Sequence, residues 1–132
     1  MGLNHETAPV EVREHFAVSE DQLGSQARKL TELTTIAEGV VISTCNRMEV
    51  YVAAEDRQMG LDVLRQHLSE GHDKEHISHL YQKCGDDAKQ HLFALVCGLD
   101  SMVLGETEIF GQVKHAYKQA FEAGAVKTPN SE

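Results

Sequence analysis

The chain has 132 residues, 41% of them apolar and 25% charged, the mix of one ordinary globular domain with its own core. Its formal charge of −9 speaks against a protein that grips nucleic acid through its own phosphate contacts. No apolar run approaches the ~20 residues that span a bilayer and no basic-then-apolar leader opens the chain, so the expected setting is the cytoplasm, away from any membrane.

Residues 1–4 close a short first strand. Residues 5–15 are expected to run as an extended loop, because Pro9 keeps Ala8 out of the helical region. Ser19 then opens a helix to about Thr34, with Gln22 completing a capping box and Leu23, Ala27 and Leu30 on one face. Gly39 breaks the chain, and Gly39–Ser43 and Met48–Ala54 form two strands around a polar turn. Asp56 caps a helix over about 57–69 with Leu61, Leu64 and Leu68 inward, and Gly71 ends it.

The stretch from Gly71 to His79 is polar and is expected as loop, and 79–85 gives a short, weak strand. A helix starts at Asp86 or Asp87 and presents Leu92, Leu95, Val96 and Leu99. A last helix covers about 107–123 with an apolar stripe from Ile109 to Phe121, and Gly124 stops it. The order βαββαβ followed by helices is the split pattern of ferredoxin-like α+β domains, an antiparallel sheet with helices on one face. There is no internal repeat and no low-complexity run.

The chemistry-bearing residues centre on VVISTCNRMEVYV, residues 40–52. A thiol reacts as thiolate, and a nearby cation favours that form. Cys45 sits in a turn, with Arg47 two residues on. Thr44, Cys45, Asn46 and Arg47 therefore offer a nucleophile, hydrogen-bonding groups and a fixed charge suited to a carboxylate. The competing reading is an inert cysteine at a strand end. Three cysteines, Cys45, Cys84 and Cys97, with no C-x-x-C pair, argue against a disulfide scaffold or a cysteine zinc ribbon.

His91 shares a helix face with Ala88 and Leu95, where it serves as proton shuttle or as a satisfied core histidine. Ser101, Glu106, Thr107, Glu108 and Gln112 cluster around a turn and a helix start, where capping is their plain role. His67, His72, His76 and His79 lie close in sequence, but Gly71, Asp73 and Ser78 make a solvated loop the better reading than a zinc site, so no metal is expected. No G-x-G-x-x-G and no P-loop pattern occurs, so this chain is expected to bind no cofactor itself.

Three blocks together are specific: GLNHETAPVEVRE, VVISTCNRMEVY and HLFALVCGLDSMVLGETEIFGQVKHAY. On them the chain resembles the N-terminal catalytic domain of glutamyl-tRNA reductases over about residues 2–124, with 125–132 as a frayed tail. The resemblance implies an NADPH-dependent enzyme that converts glutamyl-tRNA to glutamate-1-semialdehyde, the entry to tetrapyrrole biosynthesis. It places the nucleophile on Cys45 and substrate contacts on Thr44, Asn46, Arg47, Ser101, Glu106, Thr107, Glu108 and Gln112. A histidine important for activity falls on His91.

NADPH-binding and dimerisation domains follow in full-length members, which implies a homodimer, with glutamate-1-semialdehyde aminomutase as a possible partner. This part alone would meet the aminoacyl end of the tRNA and bind it weakly. Two departures stand out: relatives carry more apolar residues before GLNH, and GETEI replaces a common GEPQI, which puts Glu108 where an amide is usual. A non-catalytic ferredoxin-like ligand-binding or regulatory module is the alternative. A structure is expected to show Cys45 at the floor of a pocket walled by Arg47 and His91.

Overall fold

The computed structural model describes residues 1–96 and 109–126, with side chains up to residue 94 and from residue 114. Its elements are β1 (Gly2–Asn4), α1 (Val10–Phe16), α2 (Leu23–Leu30), β2 (Ile36–Ser43), β3 (Arg47–Ala54), α3 (Arg57–Ser69), α4 (Lys74–Ile77), α5 (Asp86–Val96) and α6 (Ile109–Glu122). The three strands form one antiparallel sheet in the order β1-β3-β2. This is an α+β domain.

The hairpin carries the sheet. β2 and β3 pair from Ile36↔Ala54 to Ser43↔Met48, with a bulge between Ile36 and Glu38. β1 pairs β3 on its other side, Gly2 opposite Glu49 and Asn4 opposite Arg47. The expected fourth strand shrinks to one antiparallel bridge, Gly2↔Tyr81, made by two backbone hydrogen bonds of 3.0 and 2.8 Å. Lys83 and Cys84 lead into Gly85, whose φ of +60° turns the chain away before a ladder can extend.

Three further expectations are corrected. Residues 5–15 are not an extended loop, because α1 starts at Val10. Pro9 restricts the residue before it, yet its own φ of −68° suits the entry to a helix, and Val12 and Phe16 then bury one face. The turn before it is held by Asn4, whose side-chain oxygen accepts from the backbone N–H groups of Glu6 and Thr7.

Ser19 does not build a capping box with Gln22. Its hydroxyl donates to Asp21 at 2.7 Å, a short 3-10 turn follows, and α2 ends at Leu30. Beyond that point Thr31 turns its hydroxyl back onto the Arg28 carbonyl at 2.6 Å, and Thr35 takes a φ of +69°. The Thr35 conformation has a purpose: its carbonyl accepts from Glu55 and its hydroxyl from Asp56, so it joins the start of β2 to the end of β3. Finally, the polar stretch after Gly71 contains the one-turn helix α4.

Helices do not lie on one face alone. Residues alternate across a strand, yet Val40, Val41 and Ile42 are all buried, as are Arg47, Met48, Glu49 and Val50. Leu30 of α2 lies against Gly39 on the face of Val41, Met48 and Val50. α5 covers the other face, where its His91 meets Glu49. The core joins Leu23, Ala27 and Leu30 of α2, the sheet residues, Leu64 of α3, and Ala116 and Ala120 of α6.

α6 ends as expected at Gly124, with φ +82°. Gly124 N–H bonds to Phe121 O and Ala125 N–H to Ala120 O, a Schellman pair that supplies two of the last carbonyls with donors. Ala125 and Val126, expected in a frayed tail, are buried at 1% and 4% exposure, and the Ala125 carbonyl accepts from Gly39 N–H at 3.0 Å.

Candidate functional site

The turn at residues 44–46 closes the β2–β3 hairpin. Thr44 N–H donates to Arg47 O at 2.8 Å, and the Thr44 hydroxyl accepts from Asn46 N–H at 3.1 Å. Cys45 is exposed at its tip, while Thr44 and Asn46 are half-buried. The strands on either side are anchored in the core, so the thiol is presented by a rigid support. Below the turn, Ser43 accepts from Val18 N–H at 2.9 Å and ties the hairpin to the link after α1.

β3 projects Arg47, Glu49 and Tyr51 from one face. Arg47 is fully buried, and its Nη1 lies 3.3 Å from Glu49 Oε2. Glu49 is the hub. Tyr51 donates to its Oε1 at 2.5 Å, Tyr81 donates to Oε2, and His91 Nε2 lies 2.6 Å from the same oxygen. Gly2 makes this possible. Tyr81, Gly2 and Glu49 are direct cross-strand neighbours, and a Cβ at Gly2 would come within 2.8 Å of the Glu49 side chain. With no side chain between them, the Tyr81 hydroxyl reaches the carboxylate.

Burial alone would raise the Glu49 carboxyl, but hydrogen bonds from His91, Tyr51 and Tyr81 outweigh it and pull it to about 2. Burial and the adjacent carboxylate push both phenols far above the ordinary tyrosine range. The face is therefore a fixed anion wrapped by donors, one of them the imidazole of His91. A cavity of about 250 Å³ opens beside it, lined by Glu49, Tyr51, Tyr81 and His91, with Arg57 and Cys84 at its rim. Ala88 lines it too, in keeping with the face that Ala88 and His91 were expected to share.

The sequence-predicted residues thus divide. Thr44, Cys45, Asn46 and Arg47 come together at one hairpin end. His91 joins them through Glu49 and Arg47, not by lying beside the thiol in one pocket. The cysteine that lines the cavity of His91 is Cys84. Ser101, Glu106, Thr107 and Glu108 lie outside the described residues, as does the side chain of Gln112. Glu49, Tyr51 and Tyr81 were missed; an acid flanked at two residues by Arg47 and by Tyr51 inside a strand was the available signal.

Of the histidines, His79 Nδ1 lies 3.0 Å from the Thr7 carbonyl. His72 and His76 instead meet His15 of α1. Burial, and next the neighbouring His15 and His76, lower the His72 imidazole below its ordinary value, against a smaller opposite pull from Asp73.

A thiol exposed on a hairpin tip, above a strand that buries an arginine, a carboxylate and a histidine-linked network, marks an α+β domain with a candidate nucleophile at its hairpin turn. Comparison with known proteins makes this specific. The family model described as glutamyl-tRNAGlu reductase, N-terminal domain, matches residues 1–130, and the chain belongs to that family.

Among curated relatives, glutamyl-tRNA reductase of Akkermansia muciniphila is 48% identical over 128 residues, covering 94% of this chain and 37% of that protein. The enzyme of Syntrophotalea carbinolica is 46% identical over 123 residues, covering 91% and 28%. Among solved structures, glutamyl-tRNA reductase from Methanopyrus kandleri superposes with a TM-score of 0.70 at 31% identity, over 96% of this chain and 28% of that one. The chain therefore spans between about a quarter and somewhat over a third of the length of these relatives. Among the described residues no helix is long and apolar enough to cross a membrane.

Proposed function

We propose that this domain carries out the acyl-transfer half of a cytoplasmic glutamyl-tRNA reductase, the first committed step towards tetrapyrroles. The exposure of Cys45 at a rigid hairpin tip, within a chain of this family, carries the reading. The Cys45 thiolate attacks the ester carbonyl carbon of the glutamyl group. The tetrahedral adduct collapses, the bond to the ribose oxygen breaks, that oxygen takes up a proton, and the glutamyl group stays on sulfur as a thioester.

The Thr44 hydroxyl and Asn46 bound the space where the oxyanion forms, and donors so placed are worth about 3 kcal/mol. Arg47, fully buried and paired with Glu49, supports the turn from below rather than touching the glutamyl group. His91, anchored by Glu49, orders the strand beneath the turn. Ser101, Glu106, Thr107, Glu108 and Gln112 complete the substrate contacts in this reading.

Reduction of a thioester to the aldehyde requires a hydride, which NADPH supplies when bound. The residues here do not fit that cofactor. No glycine-rich phosphate loop that would cradle its pyrophosphate occurs in the sequence. In this reading the reductive half and homodimer formation belong to other domains of the full-length enzyme, and glutamate-1-semialdehyde aminomutase is a candidate partner. With a formal charge of −9, this domain alone holds glutamyl-tRNA weakly. The finer fold reading is ferredoxin-like: the order β1-β3-β2 with Tyr81 bridging the free edge of β1 supports such a sheet, trimmed at its fourth strand.

The test is intact-mass and peptide mass spectrometry after mixing the chain with glutamyl-tRNA. A glutamyl adduct on Cys45, released by hydroxylamine and lost in Cys45→Ser, is expected. A folded chain with no adduct, or with the adduct on Cys84, overturns the proposal.

A further inference from the structure

Away from the hairpin tip, three imidazoles from different parts of the chain converge. His15 comes from the last turn of α1, His72 from the link after α3 and His76 from α4. One ligating atom of each lies within 4.8 Å of those of the other two. His15 and His76 stack with ring centroids 4.2 Å apart, and His72 stacks on Phe16 at 4.1 Å. Phe16 is a buried core residue, so the His72 ring is fixed by the core and not by solvent. His15 is exposed, and the other two are half-buried.

Three convergent imidazoles are a donor set for a borderline-soft divalent ion. Around zinc, nitrogens at about 2.05 Å in tetrahedral geometry stand roughly 3.4 Å apart. The three ligating atoms lie within 4.8 Å of one another, and turning the His15 and His76 rings out of their stack lets their in-plane lone pairs converge on one ion. Nothing on α1, the link or α4 obliges these three rings to meet: the helix-to-loop contact could be made by any apolar trio. His15 and His72 also line a cavity of about 390 Å³ together with His67 and Glu70, which leaves room for a solvent molecule or a fourth ligand.

We propose that His15, His72 and His76 form a zinc-class metal site that fastens α1 to the α3–α4 connection. The site is separate from Cys45 and its network and does not depend on their role. His79, which sequence spacing would have grouped with His72 and His76, stands outside the convergent trio.

The test uses the full chain after removal of metal with a chelator. Calorimetric titration with ZnCl₂ is expected to show one ion per chain. Cobalt(II) is expected to give the intense visible bands of a tetrahedral site. His15→Ala, at an exposed position that leaves the core intact, is expected to weaken zinc binding by more than about tenfold, and His76→Gln to do the same. His79→Gln and a double Cys45→Ser, Cys84→Ser variant are expected to bind as the parent does. Absence of one-to-one binding, binding that survives both His15→Ala and His76→Gln, or binding lost with the cysteines overturns the proposal.

Discussion

His91 of α5 and Glu49 of β3 meet at 2.6 Å, although 42 positions separate them in sequence. Through that bond α5 is tied to the strand that supports Cys45. The same carboxylate accepts from Tyr51 and Tyr81 and pairs with Arg47, so one buried anion organises groups from β3, the segment after α4, and α5.

Replacing Glu49 with Gln should therefore be costly. The amide keeps the volume but removes the charge and points hydrogens at groups that are themselves donors. A loss of about 3 kcal/mol is expected, because breaking a buried ion pair leaves its partner charge uncompensated. Urea unfolding of the parent and of Glu49→Gln measures it, and a difference under ~1 kcal/mol would show that the network is not what holds α5.

The same group sets the response to acid. The Glu49 carboxyl lies at about 2 in the folded chain against an ordinary 4.5. The folded state thus binds the proton less readily than the unfolded one, and the stabilisation is complete above about pH 4.5. It falls as pH drops from there towards 2, by about 3 kcal/mol in all. Unfolding midpoints measured across that window should decline more steeply for the parent than for Glu49→Gln.

Gly60 brings α3 against the hairpin. A Cβ there would lie 2.7 Å from Ala54 Cβ, well inside contact distance. Alanine is the better helix former by about 1 kcal/mol, but the clash should outweigh that gain and leave Gly60→Ala less stable by roughly 1 kcal/mol. Adding Ala54→Gly to the variant should recover part of the loss, as a double-mutant cycle by thermal denaturation would reveal.

Asp56 caps α3 by accepting from Met59 N–H at 3.0 Å. Asp56→Ala should cost about 1 kcal/mol, read from the unfolding midpoint, without altering acylation of Cys45.

Cys45 stands outside the buried core. Since it is exposed, Cys45→Ala should change stability by less than ~0.5 kcal/mol while abolishing the glutamyl adduct. A marked loss of stability would mean that the thiol is structural.

Local signals in the sequence located the hairpin, α3 with its Asp56 cap, and the Gly124 stop, because each depends on residues within one turn or one strand. The position of Cys45 at the tip was legible for the same reason. α1 was not, since the restriction Pro9 places on Ala8 was extended to the residues that follow it. The Glu49 network was illegible because it is assembled from positions 49, 81 and 91 by the bridge across Gly2, a contact that no periodicity encodes. His15 was likewise invisible as a neighbour of His72 and His76 until α1 existed to carry it.

β2 forms one margin of the sheet, where unpaired strand groups can recruit a neighbouring molecule. Here Ala125 O takes the Gly39 N–H, and the irregularity between Ile36 and Glu38 bends the strand just before it. The few residues after α6 thus act as a guard against molecules stacking edge to edge. Shortening the chain before Ala125 would expose that margin and favour self-association at high concentration.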